Sequence, residues 1–482
     1  CRFHAVSPLQ RIFFPTGHPR EVLPHSLNAP STHAFSPSCQ PKPTEISEFS
    51  QSMASLFPTS LFSLSLLLLF LSTTIAHAKV QTFTYVNEGE FGPYITEYDA
   101  NYRVLPIATS PFQMAFYNTT PDAFYLALRM GTTRSESTFR WVWEANRGRP
   151  VRENATFSLL SDGNLVLADA DRRVVWSTAT ANKGVVGLKI LPDGNIVLYN
   201  AKGRFLWQSF DHPTDTLLVD QSLYVGGPTK LVSRKSTTDG SFGIYSLVLE
   251  SGGLAMYIND LTPKPLPYYN YSDGIFSFSG NSVKLESEPE TEDAFAYEVR
   301  LVEDQGTIIL ARPKYNATLS FLRLDVDGNL VVYTYYDPVD YRAWEETFAF
   351  FSDETGRLSG CALPRKCGGF GVCEDEMCVA CPSPTGLLGW SKGCAQPSLG
   401  ACKGGAGVDY YKVLAVENFL TGYTRGEGAV KVEECKRRCG LDCKCAGFLF
   451  WEEESRCWLA PVLGTLAKVD NASHVAYVKY IK

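Results

Sequence analysis

The chain has 482 residues, a formal net charge of −7, 45% apolar residues and 20% charged ones. That length exceeds one ordinary domain of roughly 150 residues, and the composition is globular rather than disordered. The mild acidity offers no basic face for displacing counterions, so no nucleic-acid partner is expected. Plentiful Gly, Tyr and Phe suit strands and tight turns better than helices.

Residues 1–52 open on Cys1 rather than Met and are rich in Pro, Ser and His without periodicity. They read as a non-native or untranslated extension. Met53 then begins a segment whose apolar run, Leu64 to Leu71, ends in Ala76-His77-Ala78 before Lys79. A short apolar core followed by an A-x-A site is the pattern of a signal peptide, so 53–78 is expected to be cleaved. No later run approaches the ~20 apolar residues of a membrane span, so none is expected after cleavage. The cysteines agree with export. Apart from Cys1 and Cys39, all of them lie between Cys361 and Cys457, and dense local spacing reads as a disulfide framework formed in an oxidising compartment. Five Asn-x-Ser/Thr sequons, at Asn118, Asn154, Asn270, Asn316 and Asn471, are then candidate N-glycosylation sites.

Residues 79–356 read as short strands between turn signals, without a long amphipathic helix. Asp162-Gly-Asn164 and Asp193-Gly-Asn195 each precede an apolar strand, and a third copy stands at Asp327-Gly-Asn329. Repetition of such a unit predicts a symmetric all-β architecture with one sheet per repeat. Trp141, Trp143, Trp176 and Trp207 fall near strand ends, where large aromatics fill a shared core. Glu286, Glu288, Glu290 and Glu292 form an acidic run, expected to be a solvated loop.

Trp143-Glu-Ala-Asn-Arg147, the Asp-Gly-Asn copies, Val175-Trp-Ser-Thr178 and the long run Leu206-Trp-Gln-Ser-Phe-Asp-His-Pro-Thr-Asp-Thr-Leu-Leu218 resemble the bulb-type mannose-binding lectin domain of plant S-locus glycoproteins. The resemblance implies a β-prism of three four-stranded sheets over residues 79–215. Thr238-Asp-Gly-Ser-Phe-Gly243 and Tyr245-Ser-Leu-Val-Leu249 resemble the opening of a second lectin-like domain, 216–356. Cys367-Gly-Gly-Phe-Gly-Val-Cys373 is similar to the EGF-like module of the same family, 357–395. The six cysteines of that module allow fifteen connectivities on sequence alone. The resemblance implies Cys361–Cys373, Cys367–Cys378 and Cys381–Cys394. No acidic set precedes Cys361, so no calcium-binding form is expected. Cys435-Lys-Arg-Arg-Cys439 and Cys443-Lys-Cys445 resemble a PAN/apple domain over 402–482. Cys435 and Cys439 are spaced to share one helical face. The implied pairs are Cys435–Cys457 and Cys439–Cys445, with Cys402–Cys443 left over. The whole arrangement resembles the EP1-like epidermal secreted glycoproteins, which carry this ectodomain without a kinase. The expected fold class is therefore mainly β: two tandem prisms, an EGF-like module and an α+β PAN/apple domain.

The mannose site implied by the resemblance is Gln-x-Asp-x-Asn-x-Val-x-Tyr on one strand. Alternation places these residues on one face, where polar groups meet sugar hydroxyls and Val packs beneath. The second copy keeps Asp193, Asn195, Val197 and Tyr199 but has Leu191 for Gln. The third keeps Asp327, Asn329, Val331 and Tyr333 but has Asp325. The first keeps Asp162, Asn164 and Val166, with Leu160 and Ala168 at the outer positions, and is the weaker candidate. Losing one bond in such a site costs on the order of 1–3 kcal/mol. The same residues also make a good turn and strand, so a purely structural role competes at every copy.

An enzyme is not expected. After residue 78 the only histidines are His212 and His474, and no nucleophile elbow, zinc motif or phosphate loop is present. Neither a cofactor nor a metal site is anticipated. Two readings follow. One is a secreted plant cell-wall or apoplastic glycoprotein binding mannose-containing glycans or wall polysaccharide. The other is a structural or protein-binding wall glycoprotein whose lectin sites have lost sugar, with extracellular protein partners reached through the EGF-like and PAN modules.

Overall fold

The computed structural model describes residues 79–482 apart from 134–137, 260–261, 290–296, 305, 338, 340–341 and 399–406. The expected leader at 53–78, the expected extension before it and Cys402, hence the expected Cys402–Cys443 pair, lie outside the described residues. In the described part of 79–356 the only helical turns are short 3-10 ones.

Three antiparallel sheets come first. Asn101–Thr109, Phe112–Asn118, Phe124–Met130 and Arg140–Glu144 form one in sequential order. Phe83–Val86 joins Thr156–Leu159, Leu165–Ala168 and Val174–Ser177 in the second. Val185–Ile190, Ile196–Asn200 and Phe205–Gln208 make the third, and the Gln81 backbone N–H donates to Val186 O at its edge. Alternation aims Phe112, Met114, Phe116, Leu126 and Leu128 into a core shared with Phe157, Leu167, Ile196 and Leu198. The opposite face of the first sheet is covered as well, by a cluster of Tyr102, Tyr117, Tyr125, Phe139 and Trp141. Burial on both faces is why Phe124–Met130 is apolar at nearly every position instead of every second one.

The next three strands, Thr216–Leu218, Ser222–Tyr224 and Lys230–Arg234, are short and consecutive. Each starts a different four-stranded sheet. The first pairs with Ser320–Leu324, Leu330–Tyr335 and Trp344–Ala349 in turn. The second leads to Ser282–Pro289, Tyr297–Glu303 and Gly306–Ala311, and the third to Phe242–Glu250, Gly253–Ile258 and Leu266–Tyr269. The acidic run begins on a strand rather than a loop: Glu286 bridges Lys284 on its own strand at 3.1 Å and Arg300 across the sheet at 3.3 Å.

The division at residue 215 is not a gap in packing, because Leu218, Phe321, Tyr335 and Ala343 belong to the first core. The boundary expected between 395 and 402 is bridged by strand pairing. Phe370–Glu374, in the cysteine-rich segment, pairs in parallel with Gly464–Lys468, giving one five-stranded sheet common to 357–395 and 402–482. A segment of about 40 residues has too little core of its own, and this one borrows a neighbour's strand. A single apolar cluster runs from Leu217 through Phe370 to Val478.

The helix Val432–Leu441 packs on the sheet Val408–Leu414, His474–Ile481, Gly447–Trp451 and Arg456–Ala460. Its fully buried Cys435 and Cys439 bond to Cys457 and Cys445. The earlier cysteines pair as Cys361–Cys373, Cys367–Cys378 and Cys381–Cys394. No helix among the described residues is long and apolar enough to cross a membrane.

Candidate functional site

The three Asp-Gly-Asn copies fold alike. In each, the Asp carboxylate accepts from the backbone N–H two residues on: Asp162 from Asn164 at 2.8 Å, Asp193 from Asn195 at 2.9 Å, Asp327 from Asn329 at 2.9 Å. Backbone bonds Gly163→Leu160, Gly194→Leu191 and Gly328→Asp325 close a turn whose glycines sit at φ of 84–89°. The aspartates keep negative φ, so these are type I turns with a glycine bulge rather than the doubly left-handed two-residue turn. Each Asn then ties the turn to a segment beyond the next strand. Asn164 Oδ1 accepts from Thr180 N at 3.0 Å, Asn195 Oδ1 from Phe210 N at 3.3 Å, and Asn329 Oδ1 from Phe351 N at 2.9 Å.

What surrounds this common frame differs. On the first strand, Leu160 is exposed, Val166 is buried and Asn164 is half-buried. On the second, Asn195 also donates to Gln208 Oε1 at 3.1 Å and accepts from Ser209 Oγ at 3.3 Å. Gln208 and Lys189 flank Val197 in register. The Lys189 ammonium lies over the rings of Tyr199 and Phe205, at 5.4 and 5.7 Å, and Val197 is 0% exposed. Burial raises the Asp193 carboxyl above its ordinary value. Gln208 thus places an amide beside Asn195, on the neighbouring strand, where the sequence pattern has Leu191 instead of Gln. Sequence reasoning missed both Gln208 and Lys189, since the signal lies in strand pairing.

On the third strand the outer positions are engaged within the protein. Tyr333 donates to Asp325 at 2.7 Å, so the two outer positions clasp each other. Arg140 of the first sheet stacks over Tyr333 at 4.1 Å, and Val331 is buried. Both amide groups of Asn329 are taken by the Phe351 backbone. Burial pushes the Asp325 carboxyl up to about 7, against the opposing pull of Arg323.

The clasp belongs to a buried ionic seam between the first and second groups of sheets. Arg323 reaches Glu97 at 2.7 Å and donates to Trp141 O at 2.6 Å, and Arg140 meets Glu97 at 2.6 Å. Further along, Glu144 binds Arg147 at 2.7 Å and Arg234 at 3.1 Å, with Tyr117 donating to it. Arg147 also binds Asp215 at 2.9 Å. Burial alone would raise Asp215, but Arg147 and then Arg323 outweigh it and hold its carboxyl down. Charges taken this far from water persist only when paired on several sides.

Trp143, Trp176 and Trp207, one from each of the first three sheets, meet edge-to-face with centroids 5.7–6.1 Å apart. Trp141 points the other way and stacks on Tyr117 at 4.2 Å. Core packing therefore describes Trp141 and Trp143, whereas Trp176 and Trp207 are only half-buried. Among the sequons, Asn154, Asn316 and Asn471 are exposed and Asn270 half-buried. Asn118 is 5% exposed, with its amide donating to Thr120 O at 3.1 Å. A glycan needs that amide at the surface, and Asn118 is the least exposed of the five sequon asparagines.

Residues 140–236 match the family described as D-mannose binding lectin. EP1-like glycoprotein 2 of Arabidopsis thaliana is 50% identical over 452 residues, spanning 87% of this chain and 99% of that protein. The epidermis-specific secreted glycoprotein EP1 of Daucus carota is 52% identical over 73% of this chain and 96% of its own. An S-locus-specific glycoprotein of Brassica oleracea var. alboglabra is 27% identical over 70% of this chain and 78% of its own length. With half its residues shared along almost the full length of such relatives, the chain belongs to the EP1-like glycoprotein family.

Proposed function

We propose that this is a secreted glycoprotein of the plant cell wall or apoplast, not an enzyme, that binds glycans through its first lectin-type domain. In this reading residues 79–215 and 216–356 are tandem bulb-lectin prisms, and 357–395 and 402–482 are EGF-like and PAN/apple units offering surface to extracellular proteins. The observation that carries it is the second motif strand. Asp193, Asn195 and Tyr199 alternate on one face, and Gln208 sits against Asn195 at 3.1 Å. An Asp, an amide pair and a phenol on a rigid strand suit sugar hydroxyls of the mannose type.

The test is calorimetric titration of the secreted, glycosylated protein with mannose and oligomannose, beside Tyr199→Phe. That change removes one hydroxyl and leaves the turn intact. Saturable heat, weakened several-fold by the substitution, is the expected result.

A second reading has its own observation. Val197 is fully covered, with Lys189 as its register partner, so a sugar ring has no apolar floor to rest on. Absence of heat from the folded protein would favour a structural or protein-binding role.

A further inference from the structure

Beside the three-tryptophan cluster is a cleft of about 500 Å³, a size common for small-ligand sites. It lies at the junction of the first and second groups of sheets. Trp176 and Trp207 form one wall. Phe242, 56% exposed and at the start of a strand in the second group, also lines the cleft. The indole N–H groups of Trp141, Trp143, Trp344, Trp390 and Trp458 each donate to a backbone carbonyl. Trp176 and Trp207 have no such partner among the described residues. His212 lies flat on Trp207, centroids 5.4 Å apart, on the same rim.

Charge distinguishes the cleft further. Its only lining carboxylate, Glu144, is neutralised by Arg147 and Arg234, and Arg147 in turn by Asp215. Arg149 also lines the cleft, is exposed, and makes no ion pair among the described residues. The balance is one uncompensated guanidinium beside aromatic surface and two indole donors.

We infer that this cleft binds an oligosaccharide of pyranose units that carry carboxylates, the sugar C–H faces packing on Trp176, Trp207 and Phe242 and a carboxylate pairing with Arg149. Aromatic surface takes the apolar side of a pyranose, and an Arg fork matches a carboxylate with two parallel donors. The site is separate from the strand at 191–199 and does not depend on it.

The probe is a galacturonic acid oligomer, with its fully methyl-esterified counterpart as the uncharged control. Titration of the secreted protein is followed by tryptophan fluorescence and calorimetry. The acid form is expected to bind saturably and shift the tryptophan emission, and the ester to bind much more weakly. Arg149→Gln should weaken the acid about tenfold, the equivalent of one charge-assisted hydrogen bond. Phe242→Ser, at an exposed position, should weaken it several-fold without unfolding the chain. Tyr199→Phe should leave it unchanged. Equal binding of acid and ester, full binding by Arg149→Gln, or no binding of the acid by folded protein would overturn the inference. Mannose heat that persists in Arg149→Gln keeps the strand reading separate from this one.

Discussion

Asp325→Asn tests whether the third motif strand is a clasp. The carboxyl rises from 3.8 to about 7 on folding, so the folded chain holds this proton more tightly than the unfolded chain. Its contribution to stability is full below the unfolded value and is lost as pH rises through about 7. Linkage between those two values gives a loss of roughly 2–3 kcal/mol from pH 5 to pH 7.5. Asp325 keeps some contact with solvent, so screening makes this an upper figure. Asn retains an acceptor for the Tyr333 hydroxyl but has no proton to exchange. Urea unfolding of wild type and variant at both pH values isolates the group, since every other titrating residue is common to both. The wild type should lose up to that amount relative to Asp325→Asn on going to the higher pH. Identical pH dependence in the two proteins would refute the buried clasp and reopen the strand to a ligand.

Other consequences are more direct. Glu144→Leu leaves the buried Arg234 guanidinium without its carboxylate and Arg147 with Asp215 alone, and should cost about 3–5 kcal/mol, read by chemical denaturation; an unchanged midpoint would mean that the seam is solvated. Lys189→Ala should uncover Val197 and strengthen any mannose heat several-fold if the strand is a sugar site, and calorimetry on the variant measures it. Asn118→Gln should leave gel mobility unchanged, while Asn154→Gln and Asn316→Gln each remove one glycan's worth of mass.

Local patterns in the sequence carried much of the architecture. The turn tripeptides announced three hairpins, the spacing of Cys435 and Cys439 announced a shared helical face, and alternation announced strands. Contacts between distant segments left no such trace. The parallel pairing of Phe370–Glu374 with Gly464–Lys468 joins residues over ninety positions apart, and nothing in either segment encodes its partner. The same holds for the site. Lys189 and Gln208 flank Val197 only because of strand register, and Arg140 reaches Tyr333 only because two groups of sheets meet. Asn118 ends a strand whose other face is also covered, so its sequon reads as surface in sequence and is buried in space. Glu286 looked like part of a charged loop because its cross-strand cation, Arg300, is fourteen residues away.

In every copy the inner positions of the motif serve the fold, and only the outer ones differ. Asp, Asn and Val recur in all three copies. In each, the Asp closes the turn, the Asn ties it to a later segment, and the Val is buried against the sheet. Only the first and last positions vary: Leu160 and Ala168, Leu191 and Tyr199, Asp325 and Tyr333. Three matches of five therefore report a hairpin and carry little information about mannose. The consequence is measurable without any ligand. Asn164→Ala, Asn195→Ala and Asn329→Ala should each destabilise the protein by roughly 1–3 kcal/mol, since buried backbone donors lose their acceptor. Asn329→Ala should be the worst, because its amide serves both the N–H and the carbonyl of Phe351. Thermal denaturation of the three variants in sugar-free buffer decides the matter. An Asn195→Ala protein that melts like wild type would show that its bonds to Gln208, Ser209 and Phe210 do not hold the turn, and the structural role of the inner positions would fail.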